Sequence, residues 1–221
     1  MKHISSEDIS EMDRFYRGNL ITGLTGFKPA HLIGTRSKEG IDNLAIFSNV
    51  THLGSNPALF CFILRPLGYG AGHTYENLKA TGYLTLNHVN PSLIKKAHST
   101  SAKFPVDISE FKELDIEKIE RNGFKAPFVA NSNIQVAASY VNDILIDENQ
   151  CRLVICKITD VFLNEDYILE DGFLNLEEAE STIINGLDAY GKASLTHRYS
   201  YAQIETDVKP ITYNKNETKS S

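Results

Sequence analysis

Asn43, Ala45 and Phe47 alternate with Leu44, Ile46 and Ser48 in the stretch Asn43-Leu44-Ala45-Ile46-Phe47-Ser48. Successive side chains of an extended chain point to opposite faces, so the first three share one face and the last three the other. The small Ala45, set between an amide and an aromatic ring, lets a flat ring approach the backbone. Thr74 opens a helical stretch, and the free amides at a helix start suit a phosphate. Ser99, Ser101 and Lys103 add two hydroxyls and a cation, and lysine meets phosphate as a point charge. Taken singly, these are a half-buried strand, a helix cap and a solvated loop. Taken in order, they fit a ligand with a flat ring at one end and a phosphate at the other.

Other chemistries lack their residues. Gly68-Tyr69-Gly70-Ala71-Gly72 does not have the G-x-G-x-x-G spacing. It also lacks the strand–helix–strand setting of a dinucleotide fingerprint, so it reads as a flexible loop. His52, His73, His88, His98 and His197 are scattered, and there is no HExxH or CxxC pair to hold a metal. No G-x-S-x-G elbow supports a hydrolase. Cys61, Cys151 and Cys156 are an odd number of thiols, two of them in apolar runs. They read as structural thiols of a reducing compartment.

The chain has 221 residues, 22 basic against 28 acidic, for a net charge of −6. The basic residues form no stripe, which argues against nucleic acid. No apolar run reaches the length of a membrane span. The N-terminus MKHISSEDISEMDRF is polar and lacks the apolar stretch of a signal peptide, so a cytoplasmic protein is expected.

The elements that must position the candidate residues follow from patterning. Ser6 caps a helix expected to run to about Tyr16. His31 to Thr35 and Asn43 to Val50 form a hairpin, with Lys38, Glu39 and Gly40 in its turn. Ala58 to Leu64 is an apolar strand buried on both faces. Thr74 caps a short helix that stops at Gly82, and Tyr83 to His88 is a strand. Asn90-Pro91 starts a helix to about His98. Asp107 to Gly123 is charged and partly helical. Ile134 to Val141, Arg152 to Phe162 and Asp166 to Asn175 are the later strands. The polar tail from about Glu205 is expected to be disordered, leaving one domain over residues 1–204. Strands dominate without strand–helix alternation, which predicts an all-β antiparallel barrel with short helical excursions.

The segments GTRSKEGIDNLAIFSNVTHLGSNPALFCFILRP, HTYENLKATGYLTLN and AHSTSAKFPVDISEF resemble the flavin reductase-like family with an FMN-binding split barrel. The resemblance rests on Asn43, Ala45, Ser48, Pro57, Arg65, Thr74 and Asn77 and covers about residues 20 to 205. It implies a six-stranded antiparallel Greek-key split β-barrel and a homodimer with FMN near the subunit interface. Asn43, Leu44, Ala45, Phe47 and Ser48 would line the isoalloxazine and ribityl chain. Arg65, Thr74 and Asn77 would reach the ribityl phosphate, joined by Ser99, Ser101 and Lys103. His73 stands where many relatives have Asp or Ser. The implied activity is NAD(P)H-dependent flavin reduction, with NADH or NADPH as transient donor. A monooxygenase or another redox protein would be the partner. A flavoredoxin-like electron carrier and a non-catalytic flavin binder are the alternatives. Hydride transfer is cofactor chemistry that requires no acid–base side chain; His73, Tyr190 and His197 are the candidates if one takes part.

Overall fold

A computed structural model describes residues 1–67, 72–211 and 213 of the chain. The glycine-rich loop read as flexible lies, except for Gly72, outside these residues. The N-terminal region holds two helices, α1 (Ser6–Glu11) and α2 (Arg14–Gly23), where one was expected. Ser5, not Ser6, caps α1, in a reciprocal capping box with Asp8. The Asp13 carboxylate then accepts from the amides of Phe15 and Tyr16 and starts α2. A side chain that competes for backbone amides in mid-run ends one helix and begins another.

The strands are β1 (Lys28–Pro29), β2 (His31–Arg36), β3 (Asp42–Phe47), β4 (Val50–Ser55), β5 (Ala58–Leu64) and β6 (Tyr83–His88). They continue with β7 (Lys118–Ile119), β8 (Phe128–Val129), β9 (Ile134–Ile146), β10 (Cys151–Leu163), β11 (Thr182–Asn185) and β12 (Ala189–Lys192). Helix α3 (Gly72–Thr81) joins β5 to β6, and α4 (Ile94–Ser99) and α5 (Glu110–Glu113) follow β6. Gly82, at φ +77°, ends α3 with its amide on the Leu78 carbonyl.

The main sheet has seven strands in the order β3-β2-β6-β9-β10-β5-β4, each antiparallel to its neighbour. Its edge strands β3 and β4 are separated along the chain only by Ser48 and Asn49. Three residue steps span at most about 11 Å, whereas a flat sheet of this size would hold its edges about 29 Å apart. The sheet therefore curls into a barrel. Its two edges meet without pairing, which makes the barrel split. Six antiparallel steps leave β3 and β4 running in the same sense, so they are one strand bent at Ser48-Asn49. The bend cuts the expected strand Asn43 to Val50 at Phe47 and accounts for seven strands where six were expected.

Strand β2 is buried on both faces. Ile33 packs with Phe60, Phe62, Leu84, Val136 and Val154 in one core cluster, and Leu78 of α3 joins it. Leu32 and Leu44 pack in a second cluster with Leu93, Ala97 and Phe111 from the region of α4 and α5. Phe47 stacks edge-on against Phe62 at 5.1 Å between ring centroids, bridging from β3 to β5. Gly34 permits the tightest approach in β2: a Cβ there would lie 2.4 Å from the Pro127 carbonyl oxygen and 2.6 Å from Thr85 Oγ1.

Four other expectations change. The helix expected to start at Asn90-Pro91 begins only at Ile94, after a turn in which the Asn90 side-chain oxygen accepts from the Ser92 amide at 3.1 Å. The stretch Asp166 to Asn175 is not a strand but a 3-10 turn at Glu165–Tyr167 and a single bridge, Ile168 to Leu174. Asn164 and Asp171 hold backbone amides two residues on, which turns the chain. Strands β9 and β10 extend past Val141 as a long hairpin. The segment expected to begin a disordered tail at Glu205 instead folds back. The Ser200 amide donates to Lys209, the Ile211 amide to Arg198, and the Asn175 side chain to the Tyr213 carbonyl. Such backbone pairing needs no apolar side chains, so composition does not reveal it. Residues 212 and 214–221 lie outside the described residues.

Candidate functional site

Arg65 leaves the end of β5 and Lys103 follows α4, and the structure brings both to one open cleft of about 380 Å³. Arg14, the first residue of α2, and Pro66 complete its lining. Among the described residues three cations and no carboxylate line the cleft, in a chain where acids outnumber bases by 28 to 22. Among the described residues none of the three has an ion pair, whereas Arg36, Lys79, Lys118 and Arg152 are all paired. The volume falls within the range of small-molecule sites, about 300 to 1,000 Å³. Arginine forks and a lysine point charge are the donor set that phosphate oxygens accept.

A second group of candidates meets in a buried network. The Asn43 side-chain amide donates to Thr35 Oγ1 at 3.2 Å and to Thr74 Oγ1 at 3.1 Å. The Asn77 amide donates to the same Thr35 oxygen at 3.1 Å. Thr74 is thus not the cap of α3. The helix begins at Gly72, and the Thr74 hydroxyl is buried against β3. This network fixes α3 on the β2–β3 hairpin, since buried polar groups that satisfy one another hold one arrangement. Thr35 is its hub and was not singled out from sequence. The signal was present: in the hairpin register Thr35 lies directly opposite Asn43.

The remaining candidates divide. Leu44 is wholly buried in the second core cluster, and its amide donates to the Glu110 carboxylate at 2.9 Å. Its side chain is core, not cleft lining. Burial pushes the Glu110 carboxyl up, opposed by the bonds from the Leu44 and Glu110 amides and by nearby His73. Ala45 and Ser48 are half-buried. Ser99 donates to the Lys95 carbonyl, and Ser101 is exposed. Tyr190 pairs with His98 Nδ1 at 3.0 Å, and His197 with Thr196 Oγ1 at 3.0 Å. Neither is among the described residues that line the basic cleft, so nothing in their placement marks them as reactive. Cys61 and Cys156 are buried and Cys151 is half-buried, all as free thiols. Burial pushes Cys156 up to about 12, which keeps it a thiol.

Two buried histidines lie apart from these groups. His31 and His88 face each other across β2 and β6, with ring centroids 4.5 Å apart. Burial pushes His88 down to about 4 and His31 well below its ordinary range, His31 also through the neighbouring His88. Both are neutral imidazoles near pH 7.

A curled antiparallel sheet with unpaired edges and short helices defines a split β-barrel, and this one carries a cationic cleft. Residues 27–181 match the flavin reductase like domain, and the chain belongs to that family. A split-barrel protein of the flavin reductase type from Shewanella frigidimarina is 38% identical, with TM-score 0.88, over 91% of this chain and 100% of that one. The nitrilotriacetate monooxygenase component B of Bacillus cereus is 21% identical, with TM-score 0.78, over 90% and 98% of the two chains. The flavoredoxin of Desulfovibrio vulgaris shares the fold at 18% identity and TM-score 0.66, over 81% and 92%. No helix of the described residues is long and apolar enough to cross a membrane.

Proposed function

We propose that this protein binds FMN and uses it to take hydride from NADH or NADPH. The observation that carries the reading is the cleft of Arg14, Arg65 and Lys103, three cations without ion pairs among the described residues. In a member of the flavin reductase-like family, a phosphate is the anion those donors fit. Arg65 and Lys103 hold the phosphate, and the small side chain of Ala45 on β3 admits a flat ring system. The buried Asn43–Thr74 and Asn77–Thr35 bonds keep α3 seated while ligand enters. The bound flavin supplies the hydride acceptor, leaving reduced flavin and oxidised nicotinamide. The chain's own part is binding, orientation and charge.

A second copy of this chain belongs to the same proposal. Val141, Ile144 and Leu145 on the outer half of β9 are more than a third exposed, and because Ile144 and Leu145 face opposite ways a partner wrapping this hairpin end would cover apolar surface on both faces. A redox partner or a monooxygenase is the proposed consumer of the reduced flavin.

The visible spectrum of the purified protein tests the cofactor, and after mixing with FMN and removing free flavin by gel filtration the flavin band should remain with the protein. Anaerobic NADH or NADPH should then bleach that band within seconds. A band that neither nucleotide bleaches overturns the reductase activity and favours an electron carrier. No band at all overturns flavin binding.

A further inference from the structure

We propose that helix α2 is part of the ligand site and that Arg14 binds the phosphate of the flavin nucleotide alongside Arg65 and Lys103. This rests on the flavin reading above and adds to it a residue and an element that lie outside the matched residues 27–181.

The position of Arg14 is the first argument. The N-terminal end of a helix carries partial positive charge and favours acidic side chains. Arg14 is the first residue of α2, where a cation is disfavoured. Asp13 does not compensate by pairing with it. Its carboxylate is turned onto the amides of Phe15 and Tyr16, at 2.9 and 3.2 Å. Those amides are therefore taken, and an anion in the cleft is left to the side chains. Arg14 makes no ion pair among the described residues and reaches the cleft shared with Arg65 and Lys103.

The second argument is how loosely α2 is held. Neither α1 nor α2 contains a buried residue. The ties on α2 are polar: Arg17 donates to the Ser10 carbonyl at 3.0 Å, and Lys28 to the Thr22 carbonyl at 2.5 Å. Phe15, next to Arg14, is 76% exposed. An anion shared by Arg14, Arg65 and Lys103 joins this helix to the ends of β5 and α4 and removes the repulsion among three like charges. Whatever binds more tightly when α2 is in place also holds α2 in place.

The group recognised is a phosphate ester, and FMN and the 2′-phosphate of NADPH both carry one. Titrations of wild type, Arg14→Ala and Arg14→Lys with FMN, riboflavin and the two nicotinamide nucleotides separate the sources. Arg14→Ala should weaken FMN about tenfold, the scale of one charge-assisted bond. Riboflavin, which lacks the phosphate, should change less than twofold, and Arg14→Lys should recover most of the FMN affinity. Hydrogen exchange at the α2 amides should slow on adding FMN to wild type and not to Arg14→Ala. Unchanged FMN affinity in Arg14→Ala, or an equal loss for FMN and riboflavin, overturns the assignment. A loss confined to NADPH, with NADH and FMN unaffected, also overturns it in favour of the nicotinamide phosphate. Unchanged exchange at α2 overturns the link between the helix and the ligand. Wild-type protein that takes up no FMN overturns the flavin reading and this one together, whereas an effect absent only in the variants leaves flavin binding standing.

Discussion

Asp143 and the cleft around Arg65 treat charge in opposite ways. At Asp143 the carboxylate is 6% exposed and accepts from Arg152 at 2.6 Å, from Tyr75 at 3.3 Å, and from Tyr140. Lys79 adds an ion pair at 3.5 Å and donates to the Tyr140 hydroxyl at 2.9 Å. Burial raises the Asp143 carboxyl, but the bonds from Tyr140 and Arg152 and the charge of Lys79 outweigh it and hold it below the ordinary range. A complete set of partners makes a joint, here between α3 and the β9–β10 hairpin. In the cleft, Arg14, Arg65 and Lys103 have no such partners among the described residues. Charges satisfied within the chain stabilise it, and charges left open are available to a ligand.

The largest test of that contrast is Asp143→Ala. It strands Arg152 and Lys79 around a half-buried gap and should cost about 3 kcal/mol of unfolding free energy. That is the lower part of the range for a broken buried pair, because both cations reach solvent. Urea denaturation measures it, and FMN affinity should stay within about twofold.

Acidification probes a third arrangement, in which buried titratable groups stay neutral. His88 is held down to about 4 in the folded chain, against about 6.5 unfolded. Between those values the unfolded chain binds the extra proton, so stability is complete above about pH 6.5 and falls as pH drops toward 4. From pH 7 to pH 5 His88 alone should remove about 2 kcal/mol, with His31 acting in the same direction. Denaturation curves of wild type and His88→Gln at the two pH values isolate the loss, which the variant should lack.

Removing the open charges should move binding instead. The double variant Arg65→Ala, Lys103→Ala should weaken FMN by about tenfold to a hundredfold and flatten the salt dependence of the dissociation constant. The smallest effect expected is on the stability of that same variant without ligand, less than about 0.5 kcal/mol. A larger loss would mean that the cleft is a structural joint like Asp143, and the contrast would fail.

The sequence disclosed the joints and the cleft unequally. The β2–β3 hairpin was legible because Lys38, Glu39 and Gly40 break an alternating pattern, and Gly40 takes the φ of +88° that its turn requires. The apolar run of β5 and the stop of α3 at Gly82 were legible for similar local reasons. The outer half of β9 was not: Asn142 and Asp143 look like loop residues until the partners of Asp143, contributed by α3 and β10, are seen. Arg65 was identified through family resemblance and Lys103 through its place beside Ser99 and Ser101, neither from any periodicity. Arg14 escaped both readings. It belongs to a helix that pattern reading merged with its neighbour, and only the fold carries it to residues far along the chain. Asn43, Thr74 and Asn77 were found, but as members of a buried network whose hub, Thr35, is visible only in register.

The bend at Ser48-Asn49 has a consequence for the order of assembly. Strand β5 finds β4 immediately, across a short turn, but its other neighbour is β10, where Arg152 lies opposite Leu64. Contacts so distant along the chain form late, because a long loop must close before any bond repays the lost entropy. During synthesis the hairpins β2–β3 and β4–β5 emerge well before the strand that draws them into one barrel. Arg65, at the very end of β5, is fixed only when β10 arrives. The cleft can therefore take the anion proposed for it only after β10 has closed the barrel.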